Sequence, residues 1–257
     1  MAIVAAAVVP HSPLLLPTIA KNHFDRSAQT RAALLEVGQE LYAAQPDAIV
    51  VITPHGTSID DAIAIEQGDR LNGDLREFGD IKTTVQIPGA VNLAHLLKEA
   101  AEDVALPVVL QSRTGLDYGV TVPWLSLWPE PVPFRVVAIS IGPSPTDRLI
   151  RFGQLLRSFF QGQVERVVVI ASGDTDRREE GSSDADRRPT QHERAMSEAI
   201  AHLDARQLPA LPMAGICLAE PLVVLLSSLQ GLPGRSTIRS FEVPLTVGQL
   251  VASITLN

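Results

Sequence analysis

Two apolar runs that each stop at a Pro-His pair constrain this chain more than any other feature. Ala48-Ile49-Val50-Val51-Ile52 is continuous and rich in β-branched residues, and a run of that kind reads as a central strand buried on both faces. It ends at Thr53-Pro54-His55-Gly56. Proline has no N–H for a sheet ladder and glycine admits unusual backbone angles. His55 is therefore presented at the carboxyl end of a core strand, the edge where open α/β sheets collect ligands. The run from Ile3 to Val9 ends in the same way, at Pro10-His11-Ser12-Pro13. One such histidine reads best as a loop residue in a Pro-rich turn; two matched ones read equally well as half of a metal site.

Between the two runs, Leu34, Leu35, Gly38, Leu41 and Tyr42 recur at helical spacing from Ser27 to Ala44. The unit is then strand, helix, strand. Right-handed crossover makes the strands parallel and puts His11 and His55 at the same end. Further strands are expected at Ala62 to Ile65, Pro107 to Leu110, Phe134 to Ile141, Arg166 to Ala171, Thr237 to Val243 and Leu250 to Leu256. Helices are expected from Val91 to Asp103, with His95 on the surface, from Thr146 as N-cap to about Phe160, and from Thr190 to about Asp204. A last helix runs from Leu222 to Gln230, with Pro221 in its first turn and Gly231 as its cap. Gln67 to Thr83 reads as an exposed excursion, Gly115 to Trp124 as a site-lining turn that opens a short helix, and Leu211 to Ala219 as a loop. Eight of the twelve residues from Arg177 to Arg188 are charged, which marks a solvated loop or mobile lid. No repeat, low-complexity tract or composition break divides residues 1–257, so one α/β domain is expected.

Composition narrows the partners. The formal charge of −8 and the pI near 5.2 oppose a nucleic-acid backbone or an anionic membrane. Aromatic residues make up only 4%, too few for a stacking platform. No apolar window approaches a membrane span, and the N-terminus enters a strand directly, so a cytoplasmic location is expected. The single cysteine, Cys217, excludes an internal disulfide and suits a reducing compartment.

Taken in order, VVPHSPLLLP, TPHG, LDYGVTVPW, VVVIASGD and ICLAEPLVVLL resemble the class III extradiol ring-cleavage dioxygenases of the protocatechuate dioxygenase β-subunit type. They are also similar to the related Memo family. The resemblance covers nearly the whole chain. It implies a single three-layer α/β/α domain with a central, mostly parallel sheet, and a non-haem Fe(II) held by two histidines and one carboxylate. It also implies a small catechol or aminophenol substrate with dioxygen, and a homodimer. The metal-binding histidines become His11 and His55. The third ligand falls on Cys217, which matches the ICxxxP context of Memo-like proteins, or on Glu220. A thiolate favours zinc or copper(I), whereas a carboxylate suits iron(II).

Two positions depart from the dioxygenase pattern. The family's LDHG is Leu116-Asp117-Tyr118-Gly119 here, so Tyr118 stands where a histidine would meet substrate; a phenol still donates a hydrogen bond. The family's SGDLSH is Ser172-Gly173-Asp174-Thr175-Asp176-Arg177, and arginine cannot exchange a proton near neutral pH. Asp174 and His192 are the remaining candidates for proton handling. The alternative function is a Memo-like metal-binding relative without ring cleavage.

Overall fold

Strands whose side chains are apolar on both faces must be covered on both faces, and this requirement sets the architecture. A computed structural model describes residues 3–57, 59, 62–112, 115–178, 188–208 and 216–256. In chain order the first half contains β1 (Ile3–Val9), α1 (Pro17–Ala20), α2 (Ala28–Ala43), β2 (Ala48–Thr53), β3 (Ile63–Glu66), β4 (Arg70–Leu75), β5 (Asp80–Pro88) and α3 (Val91–Asp103). Then come β6 (Val108–Gln111), β7 (Gly115–Leu116), α4 (Tyr118–Leu127), β8 (Arg135–Ile141), α5 (Thr146–Gln161) and β9 (Val167–Ser172). The described chain closes with α6 (Gln191–His202), α7 (Ala219–Leu229), β10 (Gly234–Glu242) and β11 (Gln249–Leu256).

Eight strands form one sheet in the order β10-β11-β1-β9-β2-β8-β3-β6. The four central strands, β1, β9, β2 and β8, are mutually parallel. Every residue of β2 and β9 is buried. Their side chains divide by the two-residue period of a strand. Val50 and Val169 join a core with α3, α5, α6 and α7, while Val51 and Val168 join a second core with α2 and α4. The expected three-layer α/β/α arrangement is what forms.

Several expectations change in detail. His11 and His55 do leave parallel strands at the same edge, but β1 and β2 are not neighbours. β9 lies between them, paired with β1 on one side and β2 on the other. The stretch expected as an exposed excursion is largely a hairpin, β4 with β5, joined by β7 into a second sheet of three strands. Burial alternates along β4, with Leu71, Gly73 and Leu75 inward. Gly73 is needed there, because a Cβ would meet Thr121 Oγ1 of α4 at 2.4 Å. α5 begins at Thr146, so Thr146 is not its N-cap; Pro145 holds that position and no side chain caps the turn. α4 starts at Tyr118 and carries Pro123 inside it.

Much of the expected charged lid, and residues 211–215 of the expected loop, lie outside the described residues. Arg178, at the start of that charged stretch, is not solvated. It pairs with Glu193 at 2.5 Å, and the two side chains are 7% and 1% exposed. Glu193 also completes a capping box with Thr190 at the start of α6. Among the described residues no helix is long and apolar enough to cross a membrane.

Candidate metal centre

Two core strands, β2 and β9, end in a hydroxyl residue after an apolar run, at Thr53 and Ser172, and a third, β8, carries Ser140 one residue before its end. All three hydroxyls are buried at the carboxyl edge of the sheet. Two of them touch the histidines, Thr53 at the His55 amide and Ser172 at His11 Nδ1. The Thr53 hydroxyl accepts the amide of His55 at 3.1 Å and donates to Asp117 Oδ1 at 3.0 Å. Asp117 in turn caps α4 by accepting the Gly119 amide at 2.7 Å. A Cβ on Gly119 would stand 2.1 Å from Thr53 Oγ1, so only glycine lets the helix approach the strand end this closely. The result places Tyr118, the first residue of α4, directly against His55.

His11 Nε2 and His55 Nε2 are 3.2 Å apart. The Tyr118 hydroxyl lies 2.7 Å from His55 Nε2, and its ring stacks on the imidazole at 4.4 Å between centroids. Cys217 completes a group in which the ligand atoms of His11, His55 and Cys217 all lie within 4.8 Å of one another. Glu220, three residues further on and in the first turn of α7, does not belong to that group. Two imidazole nitrogens about 2.1 Å from one ion stand roughly 3 Å apart when they take neighbouring positions. The His11–His55 separation, with a sulfur beside it, fits a bound metal.

Asp174 ties the site together. Its Oδ1 accepts the His11 amide at 3.2 Å and its main-chain carbonyl accepts the Leu218 amide at 3.0 Å. The loop after β1 and the turn bearing Cys217 therefore hang on one residue. Asp174 Oδ2 is 4.0 Å from His11 Nε2. Burial pushes its carboxyl up to about 7, against the opposing pull of the His11 and Ser12 amides and of Arg177. Burial pushes the His11 imidazole down to about 3, with His55 adding to the effect, and lowers His55 as well. Both rings are thus neutral at neutral pH, the form that ligates. Burial raises the Cys217 thiol, and nearby Asp174 raises it further. A cation would reverse that direction, because coordination deprotonates a thiol. Glu220 is raised by burial alone. Tyr118 is raised by burial first and then by the charges of Cys217, Asp174, Glu77 and Asp117, so the phenol keeps its proton.

His192, at the start of α6, is placed differently: its Nδ1 lies 3.2 Å from Asp176 Oδ2. Two residues absent from the sequence reading join the site from the hairpin. Phe78 meets the Tyr118 ring edge-on at 5.1 Å, and Glu77 contributes to the field on the phenol. No sequence signal marked them. For Thr53 and Ser172 the sequence marks the position, as the polar residue that closes an apolar run, but not the role.

The sequence pattern of the family described as "Catalytic LigB subunit of aromatic ring-opening dioxygenase" matches residues 5–212. Protein CA_C1420 of Clostridium acetobutylicum is 22% identical over 94% of this chain and 55% of its own length. The chain therefore spans about half the length of that curated relative. The crystal structure of the uncharacterized protein JW3007 from Escherichia coli K12 is similar in fold. Its TM-score is 0.63 at 18% identity, covering 98% of this chain and 99% of that one.

Proposed function

The chain belongs to the family of catalytic LigB subunits of aromatic ring-opening dioxygenases, and from that premise we propose that it is an extradiol-type dioxygenase acting on a small catechol or aminophenol with dioxygen. The observation that carries the reading is the convergence of His11 Nε2, His55 Nε2 and the Tyr118 hydroxyl at one sheet edge. His11 and His55 would hold a non-haem iron(II), with Cys217 or Glu220 as third ligand. Such an ion supplies open coordination positions for substrate oxygens and dioxygen.

The chain's own residues divide the remaining work. Tyr118, protonated and exposed to the centre, donates a hydrogen bond to a substrate oxygen. Asp174, beside His11, takes or returns a proton in place of the arginine at position 177, which cannot. Phe78, edge-on to Tyr118, offers an apolar wall for an aromatic ring. His192 is engaged by Asp176 and is given no step.

A second reading is favoured by one observation, that Cys217 rather than Glu220 groups with the histidines. A thiolate in that place favours zinc or copper(I), in a Memo-like protein without ring cleavage. Metal analysis of protein purified without chelator, beside a His11→Ala/His55→Ala variant, tests both. Equal and negligible metal in the two proteins overturns both readings. Iron together with oxygen uptake on a panel of catechols and aminophenols supports the first. Zinc or copper without uptake on any of them supports the second.

A further inference from the structure

Pro123 lies inside α4, four residues after Gly119. In a helix the amide at position 123 would bond the carbonyl of Gly119, but proline has no N–H to give. That carbonyl is taken instead by the Ser172 hydroxyl, the last residue of β9, at 2.5 Å. A serine hydroxyl has one proton. Once it is spent on Gly119, the Ser172 oxygen only accepts. Its other neighbour is His11 Nδ1, at 3.2 Å. The proton in that contact therefore belongs to the imidazole, at Nδ1, and the Nε2 lone pair is left facing His55 Nε2 and Cys217.

We propose that Ser172 is a positioning residue that locks His11 in its Nδ1–H form, and that Pro123 sets the direction of that hydrogen bond by leaving the Gly119 carbonyl without a helical donor. Ser172 is fully buried and central in the sheet edge, so water does not compete for the contact. Ligating histidines commonly have the outer nitrogen oriented by such a partner, and losing the partner lowers metal affinity about 10–100-fold. The consequence for metal rests on the metal-centre reading above; the proton's location does not.

The experiment separates the two. Nitrogen-15 spectra of metal-free protein labelled at the imidazoles, with the His11 signals assigned from a His11→Gln variant, report which ring nitrogen carries the proton. The wild type is expected to show His11 protonated at Nδ1. Ser172→Ala is expected to give a mixture of both forms, and Ser172→Thr, which keeps the hydroxyl, to restore the single form. Pro123→Ala gives the Gly119 carbonyl a helical N–H, so it is expected to retain the fold and yet shift His11 toward the Nε2–H form. Cobalt(II) affinity is expected to fall about 10–100-fold in Ser172→Ala and to recover in Ser172→Thr. An Nε2–H wild type, or an unchanged Nδ1–H form in Ser172→Ala, overturns the proposal. An unmoved ratio in Pro123→Ala overturns the part given to Pro123. Wild-type protein that binds no cobalt while its tautomer responds as stated overturns the metal reading and leaves the Ser172 lock standing.

Discussion

Replacing Gly173 with alanine tests how Cys217 is held beside the histidines. A Cβ at position 173 would stand 2.3 Å from Leu218 Cα, 2.5 Å from Leu218 N and 2.8 Å from the Cys217 carbonyl carbon. Carbon atoms in contact sit about 3.5 Å apart, so the turn at 217–218 must retreat by roughly 1.2 Å. Backbone faces backbone here, and no rotamer relieves the clash. Overpacking of this kind costs about 1–3 kcal/mol, and at roughly 2–4 °C per kcal/mol for a chain of this size the melting temperature falls by about 2–12 °C. Metal sites tolerate about 0.2 Å in a ligand distance, so the retreat removes the sulfur from the site. Gly173→Ala should therefore match Cys217→Ala in cobalt(II) affinity, and the double variant should be no weaker than either single one. Gly115→Ala is the control, since a Cβ there meets nothing within 4 Å; it should stay within about 0.5 kcal/mol of wild type. A Gly173→Ala protein that is destabilised but binds cobalt(II) like wild type would refute the argument that this glycine delivers Cys217 to a metal.

The other expectations concern the groups around that turn. Glu193→Ala removes a buried carboxylate bonded to Arg178 and the side-chain half of the capping box that accepts the Thr190 amide, and should cost about 3–5 kcal/mol in urea unfolding; a loss under about 1 kcal/mol would contradict the pairing. Asp174 titrates near 7 in the folded chain against an ordinary value of 3.8, so the native state holds its proton where the unfolded state does not. Its contribution to stability therefore declines as pH rises from about 4 to 7 and levels off above. Relative to wild type, metal-free Asp174→Asn should gain urea resistance over that interval and none beyond it; a difference that stays constant with pH would be the contrary result. Tyr118→Phe removes a hydrogen bond worth about 1.5–3 kcal/mol if it is made to a charged oxygen, so kcat/KM for oxygen uptake should drop about 10–150-fold at unchanged metal content. Loss of metal together with activity would instead make Tyr118 part of the binding site.

What the sequence shows and what it conceals follow from the range of the forces involved. β1, β2 and β9 are legible because a run of β-branched residues states its own burial, and the Pro-His pairs state where each histidine emerges. The hairpin of β4 and β5 is hidden because Arg70, Asn72, Asp74 and Gly73 obscure the alternation that buries Leu71 and Leu75. Cys217 and Glu220 differ by less than one helical turn. The close packing of Gly173 on Leu218 and the Leu218 amide bond to the Asp174 carbonyl hold the turn that brings the cysteine, and not the glutamate, to the histidines. The roles of Thr53 and Ser172 depend on partners far away in sequence, and a lone hydroxyl at a strand end does not announce them. Thr146 had the residue type of a cap, but Pro145 occupies the capping position.

The place of β9 between β1 and β2 has a kinetic consequence. Both histidines are encoded within the first 55 residues, yet the strand that spaces them ends at Ser172. A chain emerging from the ribosome would carry both imidazoles long before it had the strand that separates and orients them. The site is an assembly of distant contacts, which form late and slowly. A nascent or truncated chain ending before β9 should thus lack the preorganised pair, and capture of an ion would report completion of the sheet rather than its nucleation.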